Sequence, residues 1–195
     1  MSSSASSQIF LYLEMQGRAI KGEASAAAYE DEIEIESFSF DLGKESDESK
    51  AKKAKEREDK RLAALREGKP PPPPPEDTAE NTLTLSKFYD KASVNLSRYL
   101  ANGARFDEAR LTVDHHAAFA GSKEANPAMT VHLFNGRITN IQLSLSDSDK
   151  SAKLTEQVKL SYRKIEVVYY ESKNKDRASR SASHVFSYEL TNYEA

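Results

Sequence analysis

Six consecutive prolines, Pro70 to Pro75, set the strongest limit on how this chain can fold. Proline lacks a backbone N–H and clashes with the preceding turn, so the run fits neither a helix interior nor a central strand. It favours an extended polyproline II rod. At about 3.1 Å per residue the rod spans roughly 19 Å. Any core must therefore come from the sequence on either side. The residues before the prolines, Lys44 to Lys69, are mostly Ala, Lys, Glu, Arg and Leu, which are strong helix formers. Glu48/Lys52 and Glu56/Lys60 lie four apart, so opposite charges neighbour each other on a helix surface. Ser49 suits the start and Gly68 the end. The pattern predicts a helix over about 49–67. Its apolar stripe (Ala51, Ala54, Leu62, Leu65) is thin until the last turns. Only the Leu62–Leu65 end, flanked by Arg61 and Arg66, is suited to docking. The prolines read as a stiff spacer in preference to a ligand for an SH3-like groove.

Residues 44–81 make 38 of the 195 residues, which leaves 157 for the folded body. The body is mostly strand. Ile9, Leu11 and Leu13 alternate with Phe10 and Tyr12, so both faces of that strand are covered. In 32–40, Ile33 and Ile35 share one parity while Phe38 and Phe40 take the other. A phase change at Ser37 predicts a bulge, or a strand that leaves one sheet and joins another. Residues 82–86, 109–113, 130–145, 155–171 and 185–193 also read as strands. One body helix is expected over Ala92–Ala101, with Leu96, Tyr99 and Leu100 on a single face and Asn102-Gly103 ending it. Asn135-Gly136, taken alone, signals a tight hairpin turn. Long alternating strands with one helix and no βαβ spacing predict a mainly β antiparallel barrel or sandwich.

Composition excludes several function classes. There is no cysteine, which removes disulfides, thiolate nucleophiles and Cys-ligated zinc. The net charge is −3. Lys44 to Lys69 carry ten basic and seven acidic residues, a net of +3, which leaves −6 on the rest. Interleaved signs make it a poor phosphate binder, so no nucleic-acid partner is expected. The N-terminal Met1–Gln8 has no positive start, and the apolar run Ile9–Leu13 is too short for a signal-peptide core. No run approaches the length of a membrane span. Among the histidines, His115 and His116 are adjacent on a predicted strand and point to opposite faces. His132 and Asp114 are the conceivable companions of a two-His-plus-carboxylate site. The plainer reading makes these strand-end residues, and no metal or cofactor is expected. Glu34 and Glu36 share a strand face, but nothing argues for the cleft a glycosidase needs. Nucleotide, nucleophile-elbow and zincin motifs are absent, so no catalytic residue is assigned.

Four ordered blocks resemble the haemolysin-coregulated protein (Hcp) family of type VI secretion systems. The first is Phe10-Leu-Tyr-Leu-Glu-Met-Gln-Gly17 with Ile20-Lys-Gly-Glu23 and Asp31 to Phe40. The second, Leu85-Ser-Lys-Phe-Tyr-Asp-Lys-Ala-Ser-Val-Asn-Leu96, is similar to the family's K-x-x-D-K-x-S-P-x-L approach to its helix, with Val94 in place of the proline. The third is Leu154 to Tyr162 with Ile165 to Tyr169, and the fourth is Val185 to Leu190. The resemblance implies a small two-sheet β-barrel with one flanking helix over residues 1–195, and it favours one long bulged strand over the hairpin at Asn135. It also implies homohexameric rings stacked into a hollow tube, wrapped by a contractile sheath, tipped by a spike protein and carrying effectors. Such a protein would assemble in the bacterial cytoplasm and leave it without a signal peptide. A phage-like tail tube and a non-tube cargo adaptor are the alternatives. The insert, 44–81, departs from the family's loop and is expected to form an arm, with Leu62, Leu65, Arg61 and Arg66 contacting the next ring or the sheath. Phe38, Phe40, Tyr169 and Phe186 are candidates for core or subunit contacts.

Overall fold

The computed structural model describes residues 8–40, 47–66, 81–114, 125–148, 151–172 and 180–189. In chain order the elements are β1 (Gln8–Met15), β2 (Arg18–Ala19), β3 (Ile33–Ile35), β4 (Ser37–Phe40), α1 (Asp47–Arg66), β5 (Thr82–Phe88), α2 (Lys91–Ala101), β6 (Arg105–Asp114), β7 (Pro127–Ser148), β8 (Ser151–Ser161), β9 (Lys164–Ser172) and β10 (Arg180–Glu189). All strand pairings are antiparallel. β1 carries β2, β3 and β6, and β6 pairs with β7. β7 then continues to β9 and β10 on one branch and to β8, β5 and β4 on the other.

The phase change near Ser37 is a change of partner. β3 pairs with β1, whereas β4 pairs with β5. Glu36 lies between them and its N–H donates to the Ser86 carbonyl at 2.8 Å. The hydrogen-bonded path runs from β2 to β4 and does not close into a ring among the described residues, with β3 on β1 and the β9–β10 pair on β7 as branches.

β7 runs unbroken for 22 residues through Asn135-Gly136. A type I′ hairpin needs positive φ at both central residues. Asn135 has φ 53°, but Gly136 does not share it. The strand instead runs on, with Phe134 facing Lys164 and Arg137 facing Ser161, and its register against β8 shifts between Ile138 and Asn140. The single strand expected over 155–171 is corrected to two, β8 and β9, separated at Tyr162 and Arg163. The inward parity changes across the break, from Val158, Leu160 and Tyr162 to Ile165 and Val167. The break is needed because β8 pairs with the second half of β7 and β9 with the first. The Arg163 N–H donates to the Phe134 carbonyl at 3.1 Å.

The core lies under the inward parity of these strands: Leu11, Leu13, Ile33, Leu83, Leu85, Leu111, Val131, Leu133, Val158, Leu160 and Ile165, with Ala92 and Leu96 from α2. Tyr99 and Leu100 pack at its rim. α2 ends in a Schellman arrangement, with Gly103 at φ 62° and N–H bonds from Ala104 to Tyr99 and from Gly103 to Leu100. A smaller cluster covers the other face of β1, where Phe10 stacks on Tyr29 with ring centroids 4.2 Å apart.

Gly136 has no room for a side chain. A Cβ there would strike the Ser161 carbonyl and the Phe106 ring. Gly136→Ala is expected to cost about 1–3 kcal/mol through this overpacking, read as a lowered urea midpoint at unchanged slope.

Candidate functional site

The alternation of β5 places Leu83, Leu85 and Lys87 inward. That of β8 places Glu156, Val158 and Leu160 inward. Lys87 and Glu156 are direct register partners, so two charges meet within the core. Lys87 is 1% exposed. Its ammonium contacts Glu156 Oε1 at 2.8 Å, Asp90 Oδ1 at 2.7 Å, the Phe88 carbonyl at 2.7 Å and Ser93 Oγ at 3.1 Å. Ser93 Oγ also donates to Glu156 at 2.7 Å. Asp90 is the N-cap of α2. It accepts from the Ala92 N–H at 2.9 Å and forms a capping box with Ser93. Buried charges persist only when paired and hydrogen-bonded, and this set is.

A second group clasps the same helix start from outside. The Lys91 N–H donates to Glu23 Oε1 at 3.1 Å. Asp31 bridges Lys21 at 2.8 Å and Lys91 at 3.0 Å, and these two ammonium groups hold its carboxyl below the ordinary range. A Cβ on Gly22 would strike the Glu32 backbone, so only glycine lets this loop close. The motif residues Lys21, Gly22, Glu23, Asp31, Lys87, Asp90, Lys91, Ser93 and Glu156 thus converge on one junction.

The junction places a serine against a lysine, a pairing some hydrolases use. Here both are buried, so no substrate reaches them. Its chemistry is fixation of α2 on β5 and β8. Sequence reading missed it, although Lys87 and Glu156 stand at inward positions of otherwise apolar alternations.

The loop that follows carries Tyr29 over β1. Its hydroxyl donates to Asp114 Oδ2 at 2.7 Å, and Asp114 also accepts from the Asn126 N–H at 3.0 Å. Burial, and then the Asp114 carboxylate, push the Tyr29 phenol far above its usual 10.0. Burial also raises Glu32, partly offset by Arg110 at 3.0 Å. Asp114 is therefore a structural acceptor. His132 Nδ1 lies 3.1 Å from Glu108 instead. His115 and His116 lie outside the described residues, among which no cluster of three metal-ligating side chains occurs. Glu34 and Glu36 are both exposed.

Phe38 and Phe40 are part-buried against the core, whereas Tyr169 and Phe186 are exposed. Leu62 is exposed on α1, and Arg61 lies 3.7 Å from Glu58. Arg66 is exposed in the last turn of α1. Nothing is described of the Leu65 side chain, and the polyproline run lies outside the described residues. No described helix is long and apolar enough to cross a membrane.

This β fold with its clasped helix is that of a class of type VI secretion proteins. A family profile described as "Type VI secretion system effector, Hcp" matches residues 12–67 and 74–169, and the chain belongs to that family. No curated relative matches it. Among solved structures, Hcp1 from Salmonella typhimurium matches over 94% of each chain at 17% identity and TM-score 0.60. The secreted protein Hcp3 from Pseudomonas aeruginosa matches over 96% of this chain and all of its own, at 13% identity and TM-score 0.58. The Hcp1 protein from E. coli EAEC 042 matches over 93% and 98%, at 17% identity and TM-score 0.57. At such identities the likeness is one of fold.

Two outcomes test these sites. Lys87→Met leaves Glu156 and Asp90 facing each other without a cation, and is expected to cost about 3–5 kcal/mol. Adding Glu156→Leu should recover most of that loss in thermal unfolding. Tyr29 supplies a pH test. Its folded pKa is raised, so its contribution is fully present below the unfolded value of 10.0 and is lost as pH rises above it. Urea unfolding between pH 9 and 11 should show this alkaline loss, reduced by about one proton's slope in Tyr29→Phe.

Proposed function

We propose that this chain is the tube subunit of a type VI secretion system. Six copies close into a ring, and rings stack into a hollow tube that carries effectors and is driven out by a contractile sheath behind a spike. The observation that carries the reading is the family match, supported by a fold likeness that spans nearly the full length of both chains. The work is mechanical, and no catalytic, metal or cofactor role is assigned. The contact between Lys87 and Ser93 is sealed in the core, in keeping with this.

Within that reading the sheet is a two-sheet barrel, joined through Glu36 where β3 passes into β4. The protein assembles in the bacterial cytoplasm and leaves with the tube, so it needs no signal peptide. The insert, 44–81, is an arm that reaches the next ring or the sheath through Leu62, Leu65, Arg61 and Arg66. α1 suits such a reach, since its described surface is charged and carries the Lys60–Glu56 pair at 2.9 Å.

Light scattering with negative-stain imaging of the full chain tests the ring: a six-subunit mass with ring images is expected. A stable monomer would sink the tube reading and favour a cargo adaptor. Deleting residues 46–78 should shorten or abolish tubes while leaving single rings; tubes of normal length would remove the arm from the account.

A further inference from the structure

The core face of this sheet does not end where the core ends. β8 pairs with β5 only as far as Thr155, opposite Phe88. The Tyr89 N–H still donates to the Leu154 carbonyl at 3.0 Å; past it, among the described residues, β7 and β8 continue as a two-stranded ribbon out to Ser148 opposite Ser151. Leu143 and Leu145 keep the parity of Ile141, and Leu154 keeps that of Glu156 and Val158, so all three extend the core face into solvent. They are 53%, 68% and 36% exposed.

The same happens at the other end of β7. β9 pairs with β7 only up to Tyr169, opposite Met129. Tyr170, Glu171 and Ser172 then pair with β10 alone among the described residues. Phe186 faces Val167, which with Ile165 belongs to the core face, and Tyr169 keeps that parity. Phe186 is 47% exposed, and Tyr169, stacked on His184, is 49% exposed.

We infer that the apolar face of the β7–β8 ribbon docks on the Tyr169–Phe186 face of the β9–β10 ribbon of a second copy of this chain. Two-stranded ribbons are marginal by themselves and need a covering surface. Each subunit has two such surfaces, different from each other: one on the ribbon at the Ser148 end of β7, the other on β9 and β10 beside its Pro127 end, where Tyr169 faces Met129. That is the requirement of a head-to-tail contact, in which two distinct patches mate and repetition closes a ring. A second copy covers both patches at once, whereas a foreign partner on one would leave the other in water. The pairing sets aliphatic side chains against aromatic rings, which favours contact without a charge at its centre.

This inference rests on the ring reading above, and the test separates the two. The chain has no cysteine, so introduced thiols report cleanly. Oxidised full-length Leu145→Cys/Phe186→Cys should give a ladder of disulfide-linked multimers ending in a closed species. Each single variant alone should give none, and a mixture of the two singles should stop at dimers. A double variant that forms rings by light scattering yet yields no ladder overturns the docking contact and leaves the ring reading intact. A wild-type chain that stays monomeric at all concentrations overturns both. Leu143→Ser/Leu145→Ser changes only exposed side chains, so it should drop the mass to that of one subunit with an unchanged circular dichroism spectrum. Retention of the ring mass would count against the contact.

Discussion

The contact between Lys87 and Glu156 is the constraint on which the rest of the structure leans. An ion pair inside a core adds little net stability, because desolvation offsets attraction. What it adds is register. Lys87 and Glu156 face each other across β5 and β8 with Leu83, Leu85, Val158 and Leu160 on the same inward face. A slip by one residue would send every apolar side chain of β5 outward and leave both charges without partners. The same lysine grips Asp90, so the cap of α2 is set by the strand pairing. Sheet register and helix position are thereby one decision.

A second constraint is the division of β7 between two partners. One strand serves two sheet branches because Asn135 adopts a left-handed conformation and Gly136 lets Phe106 and Ser161 come close. The first half of β7 then pairs with β9 and the second with β8. The β7–β8 ribbon leaves the body at one end of β7, and the β9–β10 pair lies beside the other. A hairpin at Asn135-Gly136 would have produced neither. The division links local backbone chemistry to the surfaces available for assembly.

The polar groups of this protein are spent on internal order. Tyr29 and Asp114 pin a loop over Phe10, Asp31 ties that loop to the start of α2, and the Lys87 set is sealed beneath it. Among the described residues, the exposed large apolar side chains lie largely on ribbons, at Leu143, Leu145, Leu154, Val185 and Phe186.

Much of this was legible in the residues. Alternation revealed nearly every strand, the i, i+3, i+4 face of Leu96, Tyr99 and Leu100 revealed α2, and the phase change near Ser37 marked a real change of partner. These are local properties of a chain whose side chains repeat every two or 3.6 residues. The order of the blocks was enough for the family. The break at Tyr162–Arg163 was missed, although the inward parity changes there from Val158, Leu160 and Tyr162 to Ile165 and Val167. Lys87 and Glu156 were not singled out, since one strand does not show which side chain it will face across a ladder. The division of Phe38 and Phe40 toward the core, and of Tyr169 and Phe186 toward water, was likewise open. The sequence by itself determined the elements and their inward faces. Only the tertiary structure decided which strands meet and where the core stops covering them, because both depend on residues far apart in the chain.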